Sequence, residues 1–127
     1  MNIAHAYPIL SQMLGNDEKQ ILRILDMILD GLKTDLEKLS EATKSHDREL
    51  VADSLHRMTS NLGLIKLDRQ LAIMPRSRDE NLWDRLPIFV DSLKEELENQ
   101  YRIKWVIARE IVGRNDNQSS FRQQAVG

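Results

Sequence analysis

Hydrophobic residues recur with a helical period over most of this 127-residue chain. The clearest stretch runs from about Asp17 to Ala42. Its apolar positions are Ile21, Ile24, Leu25, Ile28, Leu32, Leu36 and Leu39. A spacing of three or four residues places these side chains on one face of an amphipathic helix. Asp17 followed by Gln20 resembles a capping box, which predicts where this helix begins.

A second, shorter pattern over Asp47–Gly63 predicts a helix with two contrasting faces. At about 100° per residue, one stripe holds Val51, Leu55, Met58 and Leu62. That stripe is typical of a helix packed into a bundle. The face turned away holds Asp53, His56 and Ser60, flanked by Ala52, Thr59 and Gly63. Small side chains there leave a shallow hollow in which another protein can approach the His56 imidazole.

Two short helices and a turn are predicted around these elements. The first helix covers about Ala4–Leu14, and the polar stretch Thr43–His46 forms a turn before the His56 helix. Gly63 is expected to end or bend that helix, and the next one covers about Leu64–Met74 until Pro75 stops it. The inward residues predicted for this helix are Leu67, Leu71 and Ile73.

The last third of the chain predicts a loop, a long helix and a tail. Residues 75–79 form the loop, and an apolar stripe predicts a helix from Leu82 to about Val112, with Pro87 kinking it or marking its first turn. Residues 113–127 are polar and non-periodic and predict a disordered tail, so the folded domain covers residues 1–112. No strand pattern is present. The predicted fold is all-α: an up-and-down four-helix bundle with a short N-terminal helix and an extended C-terminal helix.

Composition narrows the possible functions. A formal net charge of −2 gives no basic surface for nucleic acid. The absence of cysteine excludes disulfides and cysteine-based metal or redox sites, and the three histidines lack the spacing of a zinc site. The N-terminus carries no signal-peptide pattern, and no segment is apolar enough to span a membrane, so the sequence predicts a cytoplasmic protein.

The arrangement from about Tyr7 to Tyr101 resembles the histidine-containing phosphotransfer (HPt) domains of bacterial phosphorelays. The resemblance lies in Leu14-Gly15-Asn16-Asp17 before a long helix, in acidic Asp47 before the active helix, and in Asn61-Leu62-Gly63 at its end. The family's active helix carries His-x-Leu-Lys-Gly, then small residues and a Leu-Gly end. The resemblance implies a phosphocarrier rather than a turnover enzyme, without a cofactor or metal of its own. The implied partners are a response-regulator receiver domain, a hybrid histidine kinase, or both.

Two alignments to this motif are open. Matching forward from Asp47 makes His56 the phosphoacceptor, with Met58 for the leucine, Thr59 for the lysine and Ser60 for the glycine. The distance from His56 to Gly63 is then about one helical turn short. Matching backward from Gly63 instead puts Asp53 in the place of the histidine. The second alignment implies a degenerate HPt-like binding module without phosphotransfer.

The chemistry of phosphohistidine transfer sets further requirements. A neutral imidazole is the nucleophile, and histidine supplies that form near neutral pH. Asp53, one turn before His56, is a candidate acceptor for the other ring nitrogen, although its charge also favours the protonated ring. Stabilising the transferred group calls for a positive donor, and Thr59 offers only a hydroxyl. The simplest alternative for Asp53 is an exposed pair with Arg57.

The end of the last helix is more apolar than an exposed helix end requires. Trp105, Val106, Ile107 and Ile111 all lie in the segment Ile103–Val112. One interpretation is packing against the first helix. The other is a dimer or partner surface, which would make the protein a helical adaptor or oligomerisation domain.

Overall fold

Six helices make up the computed structural model, which describes the backbone of residues 2–126 and the side chains of residues 2–114. They are α1 (Ile3–Ala6), α2 (Pro8–Leu14), α3 (Glu18–Ser45), α4 (Arg48–Leu64), α5 (Asp68–Ile73) and α6 (Leu82–Val126). No strand occurs between residues 2 and 126. The predicted all-α helical bundle is confirmed. None of the helices, over the residues described, has an apolar stretch long enough to cross a membrane.

The long helix α3 begins as its sequence predicts but ends one turn later. The Asp17 side chain accepts a hydrogen bond from the Gln20 amide at 3.2 Å, which satisfies one free donor of the first turn. The helix continues to Ser45, where the next residue, His46, adopts a left-handed φ of 51°. The predicted turn over Thr43–His46 is therefore shorter than expected, and Asp47 already caps α4 by accepting from the Leu50 amide at 3.1 Å.

Helix α3 packs against both α4 and α6. Its side-chain pairs with α6 run in opposite directions along the two helices. They are Asp30 with Tyr101, Asp26 with Lys104, and Glu18 with Arg114. As residue numbers fall on α3 they rise on α6, so the two helices are antiparallel. The two-residue connection to α4 makes that pair antiparallel as well.

The N-terminal segment forms two helices instead of the single one predicted over Ala4–Leu14. Tyr7 separates them, with φ −134° and ψ 68°. A residue before proline disfavours helical backbone angles, and Pro8 then opens α2. Tyr7 is only 1% exposed, and its hydroxyl donates to Gln100 Oε1 at 2.6 Å. This contact attaches the N-terminal helices to α6.

Between α4 and α6 the chain forms only one short helix, α5. The helix predicted over about Leu64–Met74 is present but shorter, because Leu64 still belongs to α4 and α5 covers only Asp68–Ile73. Leu67 is buried as predicted, but Ile73 is 39% exposed. Residues 74–81, called the strap below, continue from α5 to α6 without forming a helix. The predicted loop after Pro75 is confirmed.

The last helix is longer than the sequence predicted. Helix α6 contains Pro87 close to its beginning and continues past Gly113 to Val126. The predicted end at about Val112 is therefore wrong. In the predicted disordered tail, 113–127, the side chains of residues 115–127 lie outside those that the structure describes. The disorder of this tail stays a prediction.

Candidate functional site

Helix α4 separates buried and exposed residues as its pattern predicts. The stripe Val51, Leu55, Met58 and Leu62 is buried in the core. On the opposite side Asp53, His56, Thr59 and Ser60 are exposed, and Ala52 and Gly63 are half-buried. All six predicted site residues therefore lie around one solvent-facing surface of α4, with the His56 imidazole near its centre.

No hydrogen bond or ion pair engages the His56 side chain within residues 2–114. Asp53, the candidate acceptor for its second ring nitrogen, does not bond to it there. The imidazole can therefore rotate about its side-chain torsions and meet a reacting group from solvent. By contrast, His46 stacks on Trp83 with 4.4 Å between ring centroids.

Arg57 turns away from His56 toward α3. Its Nε donates to Asp35 Oδ1 at 3.0 Å, and its Nη2 lies 3.5 Å from Ser54 Oγ. The predicted exposed pair between Asp53 and Arg57 is wrong. Asp35 is only 8% exposed, so pairing with Arg57 satisfies a buried carboxylate, which is energetically more demanding than a surface pair.

Thr59 is also engaged inside the protein. Its hydroxyl donates to the Leu55 carbonyl at 2.9 Å, a common arrangement for threonine within a helix. The sulfur of Met74 lies 3.8 Å from the same oxygen. The hydroxyl is therefore not directed at a group arriving on His56, and the exposed surface of α4 provides no positive donor beside the imidazole.

Helix α4 ends at Leu64, and the left-handed residue that follows it is Lys66. The helix passes through Gly63 to Leu64, and Lys66 adopts the left-handed φ of 56° that usually selects glycine. The Leu67 amide then donates to the Leu62 carbonyl at 2.9 Å. The prediction that Gly63 ends the helix is wrong. The left-handed Lys66 lies ten positions after His56 in the sequence.

This geometry predicts that Gly63→Ala and Lys66→Gly each stabilise the protein by about 0.5–1 kcal/mol. A Cβ at Gly63 meets nothing within 4 Å, so alanine lowers the entropy of the unfolded chain without a clash. Glycine at position 66 relieves the left-handed strain. Urea unfolding followed by circular dichroism measures both changes.

The matched control is Gly15→Ala. Gly15 has a φ of 67° and equal free space around it, so the same substitution is expected to destabilise there. A loss of stability in Gly63→Ala would instead mean that position 63 needs a glycine to end the helix.

The strap lies along α4 on the side of Thr59. Its first residue, Met74, contacts Thr59, and further along Arg48 Nη1 donates to the Ser77 carbonyl at 2.7 Å. Pro75 between them is buried. The strap therefore runs along this side of α4 and leaves His56 exposed.

The apolar end of α6 has one buried side and one side exposed to solvent. Ile107 and Ile111 are buried in the core, as the packing interpretation expects. Trp105 is 58% exposed, and Val106 and Val112 also face solvent. Arg109 lies over the Trp105 ring at 4.7 Å from its centroid. This exposed strip is the part that a dimer or partner could cover.

Comparison with protein-family models, with curated proteins and with solved structures gave no match. The described residues also contain no group of three or more acidic or histidine side chains placed to hold a metal ion. The chemistry of the α4 face is therefore the basis for a functional conclusion.

Proposed function

We propose that this protein is an HPt-type phosphorelay component of a bacterial two-component system. It docks a response-regulator receiver domain, receives a phosphoryl group on His56, and passes it on. Its other partner is a hybrid histidine kinase, and it works in the cytoplasm as a carrier, not as a turnover enzyme. The observation that supports this most directly is an exposed, unbonded imidazole at the centre of a helix face edged by small residues.

The position of the left-handed residue supports His56 over Asp53. In the forward alignment, the distance from His56 to the helix end is one turn short only if Gly63 ends the helix. With Ile65 and Lys66 in the place of the family's Leu-Gly end, the forward alignment from His56 needs no gap. Lys66 then occupies the backbone conformation for which glycine is normally chosen. This position of the left-handed residue favours His56 over Asp53 as the proposed acceptor.

The proposed transfer needs few groups from this chain. The unprotonated imidazole nitrogen attacks the phosphorus of an aspartyl phosphate on the receiver. A phosphorus–nitrogen bond forms as the phosphorus–oxygen bond breaks, and the electron pair leaves with the carboxylate. The ring retains its proton on the other nitrogen. Accessibility of the imidazole is thus the main requirement that α4 must meet.

The engaged Thr59 hydroxyl favours a second candidate function. Without a positive donor on α4, the same surface would serve a degenerate HPt-like module that binds a receiver and carries no phosphate. The exposed strip at Trp105 favours a third, a helical adaptor that dimerises through α6. The three candidates differ in phosphoryl incorporation, receiver binding and oligomeric state.

The test is incubation with a phosphorylated receiver domain, read by intact-protein mass under non-acidic conditions. We expect one phosphoryl adduct on the parent protein and on Asp53→Ala, and none on His56→Gln. His5→Gln is the matched control, since His5 is also exposed on a helix, and it should incorporate phosphate like the parent.

Other outcomes select the other functions. Receiver binding without an adduct, retained in His56→Ala, would indicate the binding module. No receiver binding, with a dimer that Trp105→Ser dissociates, would indicate the adaptor. Trp105→Ser is preferable to a truncation, because deleting the end of α6 would also remove the buried Ile107 and Ile111.

A further inference from the structure

Helix α4 has no free cation beside His56 that could stabilise a phosphoryl group during transfer to the imidazole. The charge on the transferred group is best stabilised by a fixed positive donor aimed at its oxygens. Thr59 donates to the Leu55 carbonyl, and Arg57 is held by Asp35. A donor from this chain must therefore come from a neighbouring element.

The strap is the element that passes this surface. It contacts α4 at two points: Met74 at Thr59 and Ser77 at Arg48. Along a helix axis these two α4 positions are about 16 Å apart. Ala52 and His56 lie within that interval, so the strap residues between Met74 and Ser77 run beside them.

Of those residues, Pro75 is buried and Arg76 is exposed. Arg76 is thus the exposed strap residue between the two contacts, and His56 is exposed on the neighbouring surface of α4. Within residues 2–114, the Arg76 guanidinium has no hydrogen-bond or ion-pair partner, while the backbone carbonyl of Arg76 accepts from the Asp79 amide at 3.0 Å. Its guanidinium is free to reach toward a ligand, unlike Arg85, which is held by Asp79 at 2.8 Å.

We propose that Arg76 is the residue that holds the phosphoryl group during transfer to His56, an inference that rests on the proposed function. A guanidinium donates two parallel hydrogen bonds to two oxygens of a phosphoryl group and keeps its charge throughout. It neither gains nor loses a proton in the step. The strap thus supplies from outside α4 the cation that Thr59 does not provide.

Arg78 is the matched control for this proposal. It is exposed and belongs to the same strap, and it too has no partner within the described side chains. It lies beyond the Ser77 contact, toward Asp79 and the start of α6, and therefore farther from His56. The two arginines differ in position but not in charge.

The experiment uses phosphoramidate as a small phosphodonor, which transfers its phosphoryl group to an imidazole nitrogen and releases ammonia. The rate of adduct formation is measured for the parent, Arg76→Gln, Arg76→Lys, Arg78→Gln and His56→Gln. We expect Arg76→Gln to slow incorporation by about 10–100-fold. Arg76→Lys should recover part of the rate, and Arg78→Gln should stay within about twofold of the parent.

The outcomes separate this proposal from the one on which it rests. No His56-dependent adduct on the parent would overturn the proposed function itself. An adduct that forms equally fast in Arg76→Gln would leave His56 as the acceptor and overturn the role of Arg76. Equal slowing in Arg76→Gln and Arg78→Gln would also overturn it, because only general positive charge would then matter. If Arg76→Gln and Arg78→Gln have equal thermal unfolding midpoints, a loss of stability is excluded as the cause of slower incorporation in Arg76→Gln.

Discussion

Tyr7→Ala is expected to lower the free energy of unfolding by about 3–5 kcal/mol, because it empties a large buried volume. Tyr7 is fully enclosed between the N-terminal helices and α6. Its hydroxyl donates to Gln100, whose amide donates in turn to Glu96 Oε1 at 2.9 Å. Urea unfolding followed by circular dichroism measures the change.

Tyr7→Phe separates the ring from the hydroxyl. It retains the packing and removes one donor from a buried amide oxygen, so we expect a smaller loss of about 1–2 kcal/mol. If Tyr7→Ala stayed within about 1 kcal/mol of the parent, the N-terminal helices would contribute little to the bundle and could not be packed on α6 as described.

The second large effect is a loss of stability at alkaline pH. Burial, and then the charge of Glu96, raises the pKa of Tyr7 to about 12 from its ordinary 10.0. Burial raises the pKa of Tyr101 to about 12 as well, together with its hydrogen bond to Asp30 and the charges of Asp30 and Asp26. Both phenols therefore hold their protons more tightly in the folded protein than in the unfolded chain.

The direction of the pH dependence follows from this difference. Below about pH 10 both tyrosines are protonated in either state, so their contribution to stability is fully present. Between about pH 10 and 12 the unfolded chain loses these protons first, and the contribution falls. For the enclosed Tyr7 we expect a loss of about 2 kcal/mol, after discounting for solvent near the hydroxyl.

The measurement is the free energy of unfolding at several pH values from 8 to about 12, with tyrosinate absorbance recorded alongside. The difference between the parent and Tyr7→Phe isolates Tyr7 from lysines that titrate in the same range. That difference should shrink as pH rises. A difference that stays constant with pH would mean that the Tyr7 hydroxyl ionises as easily when folded as when unfolded.

The helices that the sequence predicted well are those whose signals are local. The apolar stripe of α3 and the Asp17 cap act within a few residues of each other, and so do the buried stripe of α4 and the Asp47 cap. Amphipathic period and capping chemistry therefore define these elements before any tertiary contact is known.

The end of α4 could not be predicted in this way. Glycine within a helix costs only about 1 kcal/mol, so burial of Leu62, Ile65 and Leu67 outweighs the preference of Gly63 for a helix end. Lys66 takes the left-handed position as a consequence. A lysine carries no sequence signal for that conformation, so the sequence pattern pointed to Gly63 as the end of the helix.

The side chains around His56 depend on long-range contacts that the sequence does not specify. Helical spacing offers Arg57 a local partner in Asp53, but the buried Asp35 on α3 holds the guanidinium instead. The Arg76-Ser77-Arg78 segment was recognisable as a loop. Its course along α4 is determined by contacts with Arg48 and Thr59, which are distant in sequence.

The strap also has a consequence for how this chain tolerates changes in length. Helices α3, α4 and α6 pack in register over many turns, so an inserted residue there would rotate every following side chain by about 100°. The strap connects α5 to α6 without a helical register, and connecting segments accept insertions and deletions far more readily. Natural variation in length is therefore expected to concentrate between residues 74 and 81, where it would reshape the border of the His56 surface and leave the core packing intact.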